Sequence, residues 1–293
     1  MAFDGIVIAN LVKDLNDKIV SGRISKIAQP EKDELLLTIK GNRENFRLLI
    51  SANASLPLLY FTETNKPSPL TAPNFCMLLR KHIANGRIVS VSQPGLERIV
   101  RIEIEHLDEM GDLKRKFLIV ELMGKHSNII FCDDENKILD SIKHISAQVS
   151  SVREVLPGRE YFIPHAGEKK DPLTITEEEF KELIGKTPQN LSKALYTDLT
   201  GLSPTVSAEL CHLASLDGDI SAKDFSDSEL THLYHAFTWI MDDVRQGNFT
   251  PNIIYQKEKP VEFASIPLSM FSGGDYRSVS FPSFSALLER YYA

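Results

Sequence analysis

The sequence is poor in cysteine, with three in 293 residues: Cys76, Cys132 and Cys211. They are odd in number, far apart and outside any C-x-x-C spacing, which argues against a disulfide framework and against a cysteine-built zinc site. Reduced thiols are expected. The chain also lacks a basic opening followed by a long apolar run, since Met1-Ala-Phe-Asp-Gly-Ile6 meets an acid at Asp4, so no secretory leader is read. No stretch approaches the ~20 apolar residues of a membrane span. Excess positive charge is missing too. The net charge is -7, with 24 Lys and Arg against 22 Asp and Glu in residues 1–170 and 9 against 18 in residues 171–293. A strongly basic nucleic-acid domain would carry more cations than this, and any polyanion is expected to meet the first part.

What is present is an ordinary globular composition, 42% hydrophobic, with length for about two domains. Val7, Ile8, Leu11, Val12, Leu15, Ile19 and Val20 form a helical stripe that Gly22 ends. Residues 23–29, 34–40 and 45–51 read as a strand meander, and 65–73 as a proline-rich loop. Asn74 is placed to cap a helix to about residue 85, with Arg80 and Lys81 on its outer side. Strands are then expected at 87–93, 97–106, 114–123, 127–132 and 137–142, with a hairpin at 108–112. Beyond the Pro164 to Pro172 loop the period changes to helical. Helices are expected near 177–184, 189–196, 204–214 and 226–245, the first opening on the acid-rich Thr176-Glu-Glu-Glu179. An extended segment from 248 turns at 272–275 and leads to a helix from 282 that carries no stop signal, which predicts a longer helix beyond it. The fold class is α+β, with domains at 1–172, 173–248 and 249–293.

Glu121-Leu-Met-Gly-Lys-His-Ser-Asn-Ile-Ile130 interrupts a strand with Gly124 and the polar residues Lys125, His126, Ser127 and Asn128. A polar turn and an anion or RNA contact both fit such a cluster. A phosphate-binding P-loop does not, because Ile119 occupies the earlier glycine position and Lys125 is followed by His126 rather than by Ser or Thr. Thr200-Gly-Leu-Ser-Pro204 is similar to the turn of a helix-hairpin-helix module, with Ser203 in place of the second glycine; a structural or docking role fits it as well as phosphate binding. Gly95-Leu-Glu-Arg98 is expected to open a strand with Glu97 and Arg98 on opposite faces, and Arg101, Arg80 and Lys81 could extend a basic surface. His232 and His235 have helical metal spacing but no convincing third ligand. No nucleophile motif is visible.

Several of these stretches together resemble one family: Met1 to Gly5, Arg23 to Pro30, Phe75 to His82, Gly95 to Arg98, Glu121 to Asn128, Ile138 to His144 and Val155 to Gly158. They are similar to the NFACT N-terminal domain of RqcH-type, or FbpA-like fibronectin-binding, proteins. The resemblance implies a first domain similar to that of formamidopyrimidine DNA glycosylases, then a small helix-hairpin-helix domain and the start of a coiled coil. It implies a cytoplasmic ribosome quality control factor that binds a stalled large subunit carrying peptidyl-tRNA and recruits alanyl-tRNA for C-terminal alanine tailing. No enzyme activity, cofactor or metal is implied. The family's acidic-Arg dipeptide, associated with tRNA engagement, falls on Glu97 and Arg98, and arginine is common where Lys125 stands. The RNA-binding set is therefore Glu97, Arg98, Arg101, Lys81, Lys125, His126, Ser127 and Asn128. Glycosylase chemistry is not implied, because Ala2 and Phe3 stand where those enzymes carry their proline nucleophile. The older family name implies a rival reading as a fibronectin-binding surface adhesin, and the helical domain a third, DNA binding without catalysis.

Overall fold

The computed structural model describes residues 3–164 and 168–292. The Met1-Ala2 start, residues 165–167 of the expected loop and Ala293 lie outside the described residues. The chain forms two compact units, one of residues 11–94 with 99–165, the other of residues 1–10, 95–98 and 166–293. It is a mixed α+β protein with a large antiparallel sheet.

The first unit is built on nine strands: β1 (Arg23–Glu31), β2 (Glu34–Lys40), β3 (Asn45–Ser51), β4 (Leu58–Phe61), β5 (Arg87–Ser92), β6 (Ile99–Leu107), β7 (Leu113–Glu121), β8 (Asn128–Asp133) and β9 (Ile138–Ser141). Their order is β4-β3-β2-β1-β5-β6-β7-β8-β9. This is two meanders whose first strands, β1 and β5, meet antiparallel through the single pair Arg23 and Arg87. The four-residue β4 is too short for alternation to reveal it in the sequence. Strands β2 and β8 are buried along most of their length, and their near-continuous Leu, Ile and Phe content is what two covered faces demand. Between the meanders runs α2 (Asn74–Ile83), which buries Phe75, Cys76, Leu79 and Ile83 at helical spacing. Asn74 is the first helical residue rather than the cap, a position held by Pro73 without a side-chain bond. The helix is instead fixed to β1, where Arg80 Nε donates to the Ile27 carbonyl at 2.9 Å.

Helix α1 (Gly5–Ile19) carries the expected stripe, with Ile8, Leu11, Leu15 and Ile19 fully buried. Burial of each such side chain contributes about 1.5–3 kcal/mol. Its start is fixed by Asp4, whose Oδ1 accepts from the Val7 N–H at 2.8 Å.

In the second unit lie α3 (Glu177–Gly185), α4 (Leu191–Asp198), α5 (Pro204–Leu213) and α6 (Asp227–Gln246), then β10 (Asn252–Gln256), β11 (Lys259–Ala264), β12 (Tyr276–Ser280) and α7 (Phe284–Tyr292). Helices α3 and α6 each begin with a complete capping box, Thr176 with Glu179 and Ser226 with Glu229. Their apolar faces share a core that includes Phe180, Leu195, Leu210, Phe237 and Met241, and Leu96 joins it. The last three strands form a separate sheet ordered β11-β10-β12.

Candidate nucleic-acid interface

The polar cluster after β7 is a hairpin turn. Gly124 adopts φ +57, and residues 124–126 make one turn of 3-10 helix closed by the Ser127 N–H on the Gly124 carbonyl at 3.1 Å. The left-handed backbone is what glycine supplies here. Ser127 and Asn128 are buried, and their polar atoms face the protein. Ser127 Oγ accepts from the Met123 N–H at 2.9 Å. Asn128 Oδ1 accepts from the Ile129 and Lys143 N–H groups at 2.9 and 3.1 Å, and its Nδ2 donates to the Lys143 carbonyl at 3.0 Å. These bonds lock the turn and leave Lys125 and His126 exposed at its tip. Neither of those two side chains has a hydrogen bond or ion pair among the described residues.

Just before the turn, Glu121 is fully buried. Tyr161 Oη donates to its Oε2 at 2.8 Å, and Arg153 pairs with its Oε1. Burial pushes the Glu121 carboxyl up, against the opposing pull of Arg153 and Tyr161. The same environment raises the Tyr161 phenol, first through burial and then through the adjacent carboxylate.

Glu97 and Arg98 are not in a strand, contrary to the expected opening of one. Gly95 turns at φ +53 and Leu96 is buried in the helical unit's core, so the ladder begins only at Ile99. The dipeptide therefore lies in an irregular segment, Glu97 half-buried and Arg98 exposed. Arg98 has no partner among the described residues. Both belong to the helix-bearing unit, whereas Lys81, Arg101 and the Lys125–Asn128 turn belong to the sheet unit.

Within the sheet unit Lys81 and Arg101 line different cavities. Lys81 shares one of about 570 Å³ with His82, His106, Lys114 and Lys116. There Lys116 Nζ lies 3.2 Å from His106 Nε2 while His106 Nδ1 lies 3.2 Å from the Leu107 carbonyl, so Nδ1 carries the proton and Nε2 accepts from the lysine. Burial and Lys116 lower both imidazoles below their usual range. No linear motif marks this group, because Lys116 reaches His106 through the pairing of β7 with β6. Arg101 lines a smaller cavity with Tyr161 and Phe162, its guanidinium 4.1 Å from the centroid of Phe117.

The turn at Thr200 to Pro204 is closed rather than open. Gly201 at φ +81 offers its carbonyl to the Gly5 N–H at 2.8 Å, and a Cβ there would come within 2.2 Å of the Leu96 carbonyl oxygen. Ser203 caps α5 and donates to Asp4 Oδ2 at 2.9 Å. His232 and His235 are exposed on α6, and His235 Nε2 is 3.9 Å from Glu177 Oε1. Among the described residues no three metal-ligating side chains come together, and no helix is long and apolar enough to cross a membrane.

An α+β chain with a nine-stranded antiparallel sheet, a capped helical unit and a basic hairpin tip defines a class that comparison with known proteins makes specific. The model of the NFACT N-terminal and middle domains matches residues 4–293, and the chain belongs to that family. It is 36% identical over its whole length to the Rqc2 homolog RqcH of Bacillus subtilis, of which it spans about half, 49%. The human ribosome quality control complex subunit NEMF is 23% identical over 205 residues, 70% of this chain and 18% of that protein. Among solved structures, the fibrinogen binding protein of Staphylococcus aureus superposes with a TM-score of 0.83 at 30% identity, covering 100% of this chain and 99% of that one. Lactococcus lactis Fpg (MutM), in a complex with DNA, covers 83% of this chain and 79% of its own at a TM-score of 0.42 and 14% identity, a likeness that carries no argument.

Proposed function

We propose that this chain is the RNA-binding part of a ribosome quality control factor that acts in the cytoplasm. It engages tRNA and a stalled large ribosomal subunit carrying peptidyl-tRNA, and helps recruit alanyl-tRNA for C-terminal alanine tailing. Peptide bonds are made by the ribosome, so the chain itself performs no catalysis and uses no cofactor. The observation that carries this reading is the family match across residues 4–293, supported by the shared descent with RqcH and with a subunit of the human quality control complex.

The local chemistry supports RNA contact. Arg98, Lys125 and Lys81 are exposed cations without carboxylate partners among the described residues, which suits phosphate oxygens, and His126 is exposed beside Lys125. Glu97 serves as an acceptor for a base edge or a 2'-hydroxyl. Ser127 and Asn128 act by holding the turn that presents Lys125 and His126. The helix-hairpin-helix likeness around Gly201 takes a structural role, since its backbone is spent on Gly5.

Charge reversal at Arg98, Arg98→Glu, is expected to reduce tRNA recovered with the affinity-purified full-length protein at least about tenfold, as fits loss of a charge-assisted contact. Undiminished recovery would sink the assignment. A second reading, a surface adhesin, is favoured by the fibrinogen binding named for the Staphylococcus aureus neighbour. Finding the full-length protein mainly outside the cell and off the large subunit would put that reading first.

A further inference from the structure

The cavity beside Lys81 holds a charge arrangement that the fold itself leaves unbalanced. Lys81, Lys114 and Lys116 line it together with the imidazoles of His82 and His106, and none of the three lysines has an ion pair among the described residues. Strand register assembles the group: His106 of β6 stands opposite Lys114 of β7, and Lys116 lies two residues further along the same face. Lys116 is half-buried, and its hydrogen bond goes to a neutral imidazole, His106 Nε2, a weaker partner for an ammonium than an oxyanion. The His82 ring is held in place, edge-on to His106 at 6.3 Å and against Phe131 at 5.8 Å.

The neighbouring acids do not balance this charge. Asp108 commits Oδ1 to the Met110 and Asp112 N–H groups, both at 2.9 Å, which closes the hairpin. Asp133 of β8, cross-strand from Lys116, commits Oδ1 to the Glu135 and Lys137 N–H groups. Glu109 lines the cavity from the exposed hairpin tip. Its charge pulls the His82 imidazole up, yet burial, Lys116, His106 and Lys81 together bring it down. Burial and Lys116 likewise lower His106 against the Leu107 carbonyl and Asp108. Like charges that depress one another's protonation in a cleft mark a place where an anion is missing.

We propose that this cavity binds a phosphate monoester, its terminal phosphate held by Lys116, Lys114 and Lys81 together with the two imidazoles. The inference goes beyond the RNA-binding reading and does not depend on it; Lys81 alone belongs to both. No arginine lines the cavity, so a flat carboxylate finds no matching fork, whereas lysines act as point charges around a tetrahedral oxyanion. The volume of about 570 Å³ exceeds that of a phosphate alone and falls in the ~300–1,000 Å³ range of small-ligand sites. Leu107 and Met110 supply an apolar wall for the group that carries the phosphate. As the anion enters, it reverses the field on both rings, and His106 Nε2 takes up a proton and turns from acceptor to donor. That change releases Lys116 to the phosphate. Imidazoles more basic in the bound state than in the free one make binding tighter as pH falls.

The test is calorimetric titration of the full chain with inorganic phosphate and with sulfate, whose charge is constant over the pH range used. Wild type is expected to bind both, sulfate about tenfold tighter at about pH 6 than at about pH 8, with proton uptake seen as a dependence of the heat on the buffer. Lys116→Gln should weaken phosphate binding about tenfold. Lys114→Gln changes an exposed position and should weaken it about threefold, which keeps the test open if the first variant does not fold. No binding at millimolar anion, affinity unchanged in the variants that fold, or sulfate affinity constant across that range overturns the site. Competition then separates the sources. Displacement of phosphate by a short RNA with a 5'-phosphate, but not by its 5'-hydroxyl counterpart, supports an RNA end as the ligand. Displacement by glycerol phosphate and by neither RNA supports a small soluble ester. Equal displacement by both RNAs, or by none of the three, overturns the monoester.

Discussion

At the scale of single residues, the sheet unit's most exacting site is Glu121. Its carboxylate survives burial because Arg153 and Tyr161 satisfy it, so each partner's loss has a sharp cost. Arg153→Met leaves a buried carboxylate without its counter-charge and is expected to destabilise the protein by about 3–5 kcal/mol. Adding Glu121→Gln should restore part of that loss in urea denaturation, and no restoration would mean that Arg153 acts through packing instead. Asp4 gives a different signal. Burial lifts its carboxyl from 3.8 to about 6, although Val7 and Ser203 hydrogen bonds pull it down. The folded state thus holds a proton that the unfolded chain releases between those values. Its contribution is full below about pH 4, is lost as pH rises through about 6, and is constant above, a difference on the order of 3 kcal/mol. The gap in thermal midpoint between wild type and Asp4→Asn should therefore move in favour of the variant from pH 4 to pH 7. A gap that stays constant over that range would show that Asp4 does not titrate there.

At the scale of elements, the α4–α5 turn shows how a motif legible in sequence can change its meaning. Thr200 to Pro204 is similar in sequence to a helix-hairpin-helix turn, open to phosphate binding or to a structural role, and Gly201 is pressed against Leu96 and Gly5. Gly201→Ala combines that clash with a φ of +81 and is expected to cost at least about 2 kcal/mol; a cost below about 0.5 kcal/mol in chemical denaturation would show a looser joint. Helices were legible because each buries one stripe at 3.6-residue spacing, as α1 and α6 do. The meanders were legible from short apolar runs, alternating in β6 and near-continuous in β2 and β8, and from the turn residues between them. What escaped was whatever depends on distant chain segments: β4, which exists only because β3 offers it an edge, and Glu97–Arg98, freed from the ladder by Leu96. Likewise Ser127 and Asn128 look like surface polar residues until Met123 and Lys143 are seen to claim them. The histidine and lysine cavity beside Lys81 had no linear trace, since β-pairing alone brings Lys116 to His106.

At the scale of the whole molecule, the net charge of -7 sets how RNA can bind. Long-range attraction is weak, because acids outnumber bases overall, and affinity must come from a few local cations rather than from a basic face. Three exposed cations, Lys81, Arg98 and Lys125, are the phosphate contacts in the proposed reading. Counterion release then gives a slope of log affinity against log salt between about -2 and -3, the range that three neutralised phosphates span from single to double strands. Affinity should accordingly fall roughly fifteen- to fortyfold between 50 and 200 mM salt. Lys125→Ala should flatten the slope by nearly one unit and weaken binding alike for all RNAs, as a phosphate contact does, while leaving base discrimination unchanged. A slope steeper than about -5 would require more phosphate contacts than these three cations provide. A slope near zero would remove phosphate recognition from the account and shift the weight to base contacts or to the adhesin reading.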